Sequence, residues 1–417
     1  MDVSKPVVVL AGSGVGHGIA RSLGRLGVPV IGVHDDMRSP VARSRFWIQS
    51  HCWDFRARAE PESVEWLVRL GERVGGQPLL IPTDDRGALF VSSNARMLCD
   101  TFLFPAQPPD LADRLSNKRT MYRLCQEHDV PTASTVFPEN RGQVEEFSRH
   151  AGFPVMLKGI DTAALKRRTG VAMVLAGDPE SLLTQYDALE TPGRPSVMLQ
   201  EYVPGDSQDI WMFNGYFNDD SRCLFGGTGR KLREFPSQGG VTSLGVCQAN
   251  DTVSRRTERF MKDVGYRGIL DIGFKYDRRD GRYKLLDVNP RIGATFRLFV
   301  DSSGTDVARA MYLDLTGQQV PAGVMSDGRK WLMEPFDVVS SLHHMRTSNL
   351  GVGAWVRSLR GVRECCWFAA DDMKPFWRMA SASIRRGGDR KRRKRSSVGI
   401  SRDGAARFRA REGEVQA

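Results

Sequence analysis

The chain has 417 residues, is 41% hydrophobic and 26% charged, and carries a formal net charge of +11. That length exceeds one core, which seldom grows past roughly 250–300 residues, and the composition excludes a disordered or fibrous chain. No apolar run approaches the roughly 20 residues that cross a bilayer, and the start MDVSKPVVVLAG lacks the pattern of a signal peptide, so the expected location is cytoplasmic.

The first element is PVVVLAGSGVGHGIARSLGRLGVPVIGV: an apolar strand, a glycine-rich turn, an amphipathic helix and a second β-branched strand. This is how a parallel α/β sheet begins. Gly12, Gly14, Gly16 and Gly18 suggest a dinucleotide fingerprint, but GxGxxG needs glycine where His17 or Ile19 stands. Asp35 lies near the ribose-binding distance downstream, which keeps a nicotinamide-dependent oxidoreductase as an alternative. The preferred reading is a turn that brings an anion to the free N–H groups of the helix start. PESVEWLVRLGERVGGQPLLIPTDDRGALFVSSNARML then reads as helix, strand, helix, which completes a domain over residues 1–112.

After the loop FPAQPPD comes LSNKRTMYRLCQEHDVPTASTVFP, a helix that Ser116 can cap, leaving for an extended strand at Pro131. GFPVMLKGIDTAALKRRTGVAMVLAG reads as two short strands around a polar, basic loop. PESLLTQYDALE is helical, and SVMLQEYVPG is a strand ending in a Pro-Gly turn. Lys118, Lys158 and Glu201 each sit at the edge of such an element; one alone is surface, whereas three converging ends make a pocket. Further on, Arg230, Lys231 and Arg233 lie on a strand between two glycine turns, either a substrate-facing edge or a solvated one.

GILDIGFKYD and RYKLLDVNP are the arms of a hairpin around RRDG. A three-residue turn, Arg279 to Gly281, pairs Arg278 with Arg282 and sets Asp271 opposite Asn289 and Gly273 opposite Asp287. Asp271, Asp287 and Asn289 then share a face, a set of hard oxygens suited to Mg²⁺. A two-residue turn moves Asp271 to the other face. Pro290 ends the strand and leaves Arg291 at its rim, where the alternative role for Asp287 is a structural bridge to Arg291. Arg297 follows as a lesser candidate.

Residues 321–383 are Trp-rich and read as a mostly helical extension that packs on the core or shapes the acceptor side. The seven cysteines are odd in number and form no CxxC pair, the pattern of reduced thiols without a zinc site. From Arg385 onward twelve Lys/Arg face four Asp/Glu, so +8 of the charge lies in the tail and the first 384 residues carry +3. Residues 384–417 are expected to be disordered. A solvated terminus is the plain reading, with nucleic acid or an anionic membrane as the other partner.

SNKRTMYRLCQEHDVPTAS, FPVMLKG, MLQEYVPG and LLDVNPR stand in that order over Leu115–Gly317, and in this the chain resembles the ATP-grasp superfamily of carboxylate-amine ligases and carboxylases. The resemblance implies an α/β fold of ATP-grasp type. A parallel α/β domain (1–112) precedes a lid subdomain (113–195) and an antiparallel-sheet subdomain (196–320), the last two clasping ATP. It implies that Lys118 and Lys158 neutralise the phosphates, that Thr169 and Gly170 cover them, and that Glu201, Tyr202 and Val203 receive adenine. Asp287, Asn289 and Asp271 would hold Mg²⁺, or Mn²⁺ in its stead. Arg291, Arg230, Lys231 and Arg233 would serve catalysis, under a mobile lid over Gly159–Gly170. The implied activity is amide formation between a small-molecule carboxylate and an amine through an acyl phosphate, with a homodimer allowed. The basic GIDTAALKRRTG in place of a glycine-rich lid, and Gly273 where the family often has an acidic or amide residue, leave a non-catalytic or regulatory relative as the alternative.

Overall fold

The computed structural model describes residues 1–12, 14–191, 193, 195–236, 239–347 and 350–382; the expected basic tail lies outside the described residues. The N-terminal sheet is parallel, in the order Trp47–Cys52, Val30–His34, Val7–Leu10, Leu79–Pro82. Its central strands read VVVL and VIGVH and are buried throughout, as expected for strands covered by helices on both faces. The glycine turn serves packing: a side chain on Gly16 would meet Ala11, and one on Gly18 would meet Phe296. Trp367 stacks on His17 at the helix start, with ring centroids 4.7 Å apart.

A second sheet of four antiparallel strands runs Thr135–Val136, Val197–Glu201, Val155–Gly159, Met173–Ala176. Helices Arg141–His150 and Pro179–Leu189 back it, burying Val144, Val155, Leu157, Leu182 and Leu199 in a small core. Since side chains alternate along a strand, Lys158 points away from that core.

The third sheet has seven strands: Arg282–Asn289, Gly268–Asp277, Ile210–Phe217, Cys223–Phe235, Val241–Cys247, Lys330–Leu332 and Val362–Cys365. The last two come from the C-terminal extension, which therefore adds two strands as well as the helices Glu334–Thr347 and Val352–Ser358. Lys330–Leu332 pairs with the open edge of the sheet at Leu244–Val246, and Val362–Cys365 pairs in turn with Lys330–Leu332, which a helix count from sequence does not reveal. No helix among the described residues is long and apolar enough to cross a membrane.

Buried ion pairs tie the extension down. Asp372 accepts from Arg21 Nε at 2.9 Å, Ser44 Oγ at 2.7 Å and the Arg45 amide at 2.9 Å. Asp337 takes Arg233 in a two-point bridge at 2.7 and 3.0 Å. Replacing Asp372 by Ala leaves Arg21 buried and unpaired, and breaking such a pair costs about 3–5 kcal/mol. A urea titration followed by tryptophan fluorescence is expected to register that loss for Asp372→Ala.

Candidate active site

The hairpin decides the site. Its loop is one residue longer than expected, because Asp277 pairs with Arg282 and Gly281, at φ 69°, closes a four-residue turn. A bulge between Gly273 and Phe274 on one strand, opposite Asp287 and Leu285 on the other, then shifts the register by one. Asp271 consequently lies opposite Asn289 and Gly273 opposite Asp287, the pairing anticipated from the shorter turn. Leu270, Ile272, Phe274 and Val288 go to the core, while Asp271, Asp287 and Asn289 face the other way.

The three side chains touch. Asn289 Nδ2 lies 3.3 Å from Asp271 Oδ2 and 3.4 Å from Asp287 Oδ2. Gly273 is filled by its neighbour, since a Cβ there would stand 2.6 Å from Asp287 Oδ1; an acidic residue at 273 would have to displace Asp287. Burial pushes the Asp271 carboxyl up to about 6, against the pull of Arg291, with Asp287 adding to the rise. Two acids this close call for a cation, and their carboxylates are hard donors; Asn289 turns its Nδ2 to them and its Oδ1 to Arg291, so its oxygen joins the set only with the amide flipped. Among the described residues no group of three or more His, Cys, Asp or Glu is placed to hold a metal. Mg²⁺ does not need one, because it takes one or two carboxylates and completes its shell with phosphates and water.

Opposite stand two lysines. Lys118 opens the helix Lys118–Glu127, whose N-cap is Asn117, accepting from the Arg119 amide at 3.0 Å. This corrects the assignment of the cap to Ser116, which ends the preceding helix with its hydroxyl buried and without a partner among the described residues. Lys118 Nζ donates to Thr162 Oγ1 at 2.9 Å. Burial, and then the charge of Lys118, lower the Lys158 ammonium to about 8, while Asp287 raises it. Burial lowers Lys118 too, again against Asp287. Two ammonium groups from separate elements thus converge on the gap beside Asp287, an arrangement that favours a polyanion.

The expected basic lid loop is a helix, Thr162–Thr169, because Asp161 caps it by accepting from the Ala164 amide at 2.8 Å and Gly170 ends it in the left-handed region at φ 82°. Thr169 Oγ1 is bonded within that helix, to Leu165 O at 2.9 Å. Arg168 is turned to Leu189 O and Ser196 Oγ, away from the gap, and Lys166 and Arg167 are exposed.

Glu201 ends its strand in an ionic network. Its carboxylate meets Arg279 Nη2 at 2.5 Å, Lys284 Nζ at 3.4 Å and the Ser134 amide at 3.2 Å. Asp277 shares the same two cations, and its carboxyl is held well below the usual range by Arg279 first and by Lys284. Tyr202 lies under Lys275 Nζ, 5.5 Å from its ring centroid, and Val203 is buried.

Of the basic strand, Lys231 acts electrostatically on Asp271 while its Nζ donates to Gly240 O at 2.8 Å and Glu234 Oε2 at 3.3 Å. Alternation turns Arg230 to the other face, where its Nε has no hydrogen-bond partner among the described residues. Arg233 is not part of the cluster either: the bulges on both sides of it aim it at Asp337. Arg297 is likewise spent on Asp306 and Glu364. Arg291 does stand at the rim. It donates to Asp85 Oδ1 at 2.6 Å and Asn289 Oδ1 at 3.2 Å and lies 3.8 Å from Asp271 Oδ2, so the expected alternative bridge to Asp287 is replaced by one to Asp85.

Sequence reasoning missed Asn214, which donates to Asp271 Oδ1 at 2.8 Å. A lone amide inside the apolar strand IWMFNGYF was the signal. It also missed Asp85 and Thr162, whose roles depend on contacts across 206 and 44 residues.

No family model matches the chain. It is 27% identical over 264 residues to the D-aspartate ligase of Enterococcus faecium (strain Aus0004), a match over 60% of this chain and 62% of that protein. The chain thus covers less than two thirds of that relative. The biotin carboxylase domain of the Hydrogenobacter thermophilus 2-oxoglutarate carboxylase, solved with MgADP, ADP and bicarbonate, superposes with a TM-score of 0.61 at 13% identity, covering 79% of this chain and 74% of that one. For the L-amino acid ligase of Bacillus licheniformis the TM-score is 0.55 at 12% identity, covering 75% and 74%.

A lysine poised near 8 makes a clear prediction. An anion in the gap favours the charged form, so tripolyphosphate binding should take up a proton near pH 8 and weaken as the pH rises from about 7 to 9.5. Calorimetry in buffers of different ionisation enthalpy reads the uptake; in Lys158→Arg it should fall to the share of Lys118, since a guanidinium keeps its charge throughout.

Proposed function

The chain has the ATP-grasp fold, and from that premise we propose that it is an ATP-dependent, ADP-forming ligase that joins a small-molecule carboxylate to a small-molecule amine. The observation that carries the reading is the opposition of Lys118 and Lys158 to Asp271, Asp287 and Asn289 across one gap. Charges of both signs, held by mostly neutral partners such as Thr162 and Asn214, complement a metal-bound triphosphate. The names of the D-aspartate and L-amino acid ligases support the same class. The division at 1–112, 113–195, 196–320 and 321–383 goes with the reading.

Lys118 and Lys158 hold the phosphates, with the Thr169–Gly170 end of the capped helix as their cover. Glu201 and the backbone at Tyr202 and Val203 receive adenine, which requires Glu201 to accept an amino group while keeping Arg279 and Lys284. Asp271, Asp287 and Asn289 would hold Mg²⁺, or Mn²⁺ in its stead, and when bound the ion supplies positive charge beside the phosphoryl oxygens. ATP is a substrate here. An oxygen of the acid attacks its γ-phosphorus, the bond to the β-bridging oxygen breaks, and ADP leaves an acyl phosphate. The amine then attacks the acyl carbon, phosphate departs, and the amine loses a proton.

Arg291 and Lys231 lower the barrier by standing where negative charge develops on the transferred group. Arg291 must be steered, and Asp85 and Asn289 do that. Arg230, on the face of its strand turned from the acids, takes no part in this scheme.

The test is a screen of acid and amine pairs for ADP release. We expect release only when both partners are present. Asp287→Ala and Lys158→Ala should each lower it by at least about 100-fold, the order of losing a preorganised charge at a transition state. ADP formation untouched by both changes would remove the proposed site.

A further inference from the structure

The parallel sheet carries a cavity that the nucleotide site does not use. It measures about 270 Å³ and lies beyond the ends of the strands Val7–Leu10, Val30–His34 and Leu79–Pro82. From Val7–Leu10 the chain order runs outward on one side to Val30–His34 and Trp47–Cys52, and returns on the other side as Leu79–Pro82. The crevice where such an order reverses is where open α/β sheets take ligands.

Two carboxylates form its floor. Gly12 has no side chain because Asp84 Oδ2 occupies that place: a Cβ there would stand 2.6 Å from Asp84 Oδ2 and 3.5 Å from Asp35 Oδ2. Asp84 Oδ1 accepts from the Gly87 amide at 2.8 Å, so the helix Asp85–Ser93 already has its N-terminal anion. Asp35 makes no side-chain hydrogen bond or ion pair among the described residues, and its carboxyl is raised by burial first and then by Asp54, with Asp84 contributing. Arg56 and Arg86 also line the cavity, both exposed and neither in an ion pair among the described residues. Phe55 and Phe90, with ring centroids 5.2 Å apart, supply an apolar wall.

Asp35 and Asp84 beside Gly12, Arg56 and Arg86 in the same lining, Arg58 and Glu60 engaged with Glu62 and Asn94, and a small volume describe a compact ligand with a cationic and an anionic end. A phosphate or pyrophosphate would meet two acids at the floor. The volume lies just under the roughly 300–1,000 Å³ of pockets for drug-sized ligands, which suits something smaller than a dinucleotide. From these features we infer that the N-terminal cavity binds a free α-amino acid as its zwitterion, the ammonium on Asp35 and Asp84 and the carboxylate on Arg56 and Arg86. Asp85, one residue beyond Asp84, is bonded to Arg291 at the rim of the acid cluster, so the cavity adjoins the proposed reaction face. The role as one of the two joined substrates rests on the ligase reading; the binding stands on the cavity alone.

The experiment is calorimetry on the full chain without nucleotide, using the L- and D-forms of alanine, aspartate and lysine. At least one should bind, and Asp35→Asn and Arg86→Met should each weaken it about tenfold or more, the scale of one charge-assisted hydrogen bond. MgADP affinity should stay within about twofold in both variants, which also reports that they are folded. Failure of all six to bind, or binding indifferent to both substitutions, overturns the inference. Saturable NADH binding that Asp35→Asn abolishes overturns it in favour of a dinucleotide. MgADP binding and ADP release are read separately, so a failed ligase reading and a failed cavity give different results.

Discussion

The contact on which the site depends is the one Asn289 makes with Asp271 and Asp287. Three polar side chains from two strands meet only if the strands are paired in one register, because a slip of a single residue sends one of the acids into the core. The hairpin reaches that register by an unobvious route: a four-residue turn sets the pairing off by one, and the bulge before Asp287 restores it. A bulge costs a ladder bond and sharpens the local twist. Here it lets Leu285 and Val288 both stay in the core while Asp287 faces outward.

That face has consequences elsewhere. Burial raises the Asp271 carboxyl, with the neighbouring Asp287 adding to the rise, and across the gap burial, and then Lys118, lowers the Lys158 ammonium. A polyanion carrying a divalent cation, the guest of the proposed function, would relieve both. The protein is thus preorganised against itself: charges that a ligand would neutralise are held in place by burial and by neutral partners such as Asn214 and Thr162.

Holding such a face steady requires the surrounding bodies to be fixed. Arg291 links the acid cluster to the N-terminal sheet through Asp85, and Arg21 links that sheet to the C-terminal extension through Asp372. Arg233 and Arg297 join the extension to the strands beside the site through Asp337 and Glu364. These are arginines with carboxylates in mostly buried surroundings, where the planar fork holds geometry better than an ammonium does.

Much of this was legible in the amino-acid sequence. The apolar runs VVVL and VIGVH dictated buried parallel strands, and the alternation in LLDVN together with Pro290 fixed which side chains leave the core and where the strand stops, because periodicity and proline geometry act locally. The order of the lysine, hinge and carboxylate segments named the fold by its resemblance to a known superfamily, not by any local rule. What the tertiary structure alone decided were the matters of partnership. Arg233 and Arg230 look alike in sequence, yet bulges send one to Asp337 and alternation turns the other from the acids. The segment GIDTAALKRRTG became a helix because Asp161 and Gly170 cap it, against its loop-like polarity. Asp85 and Asn214 gained their roles from residues far along the chain, and no local rule encodes a contact whose other half is set by how separate sheets meet.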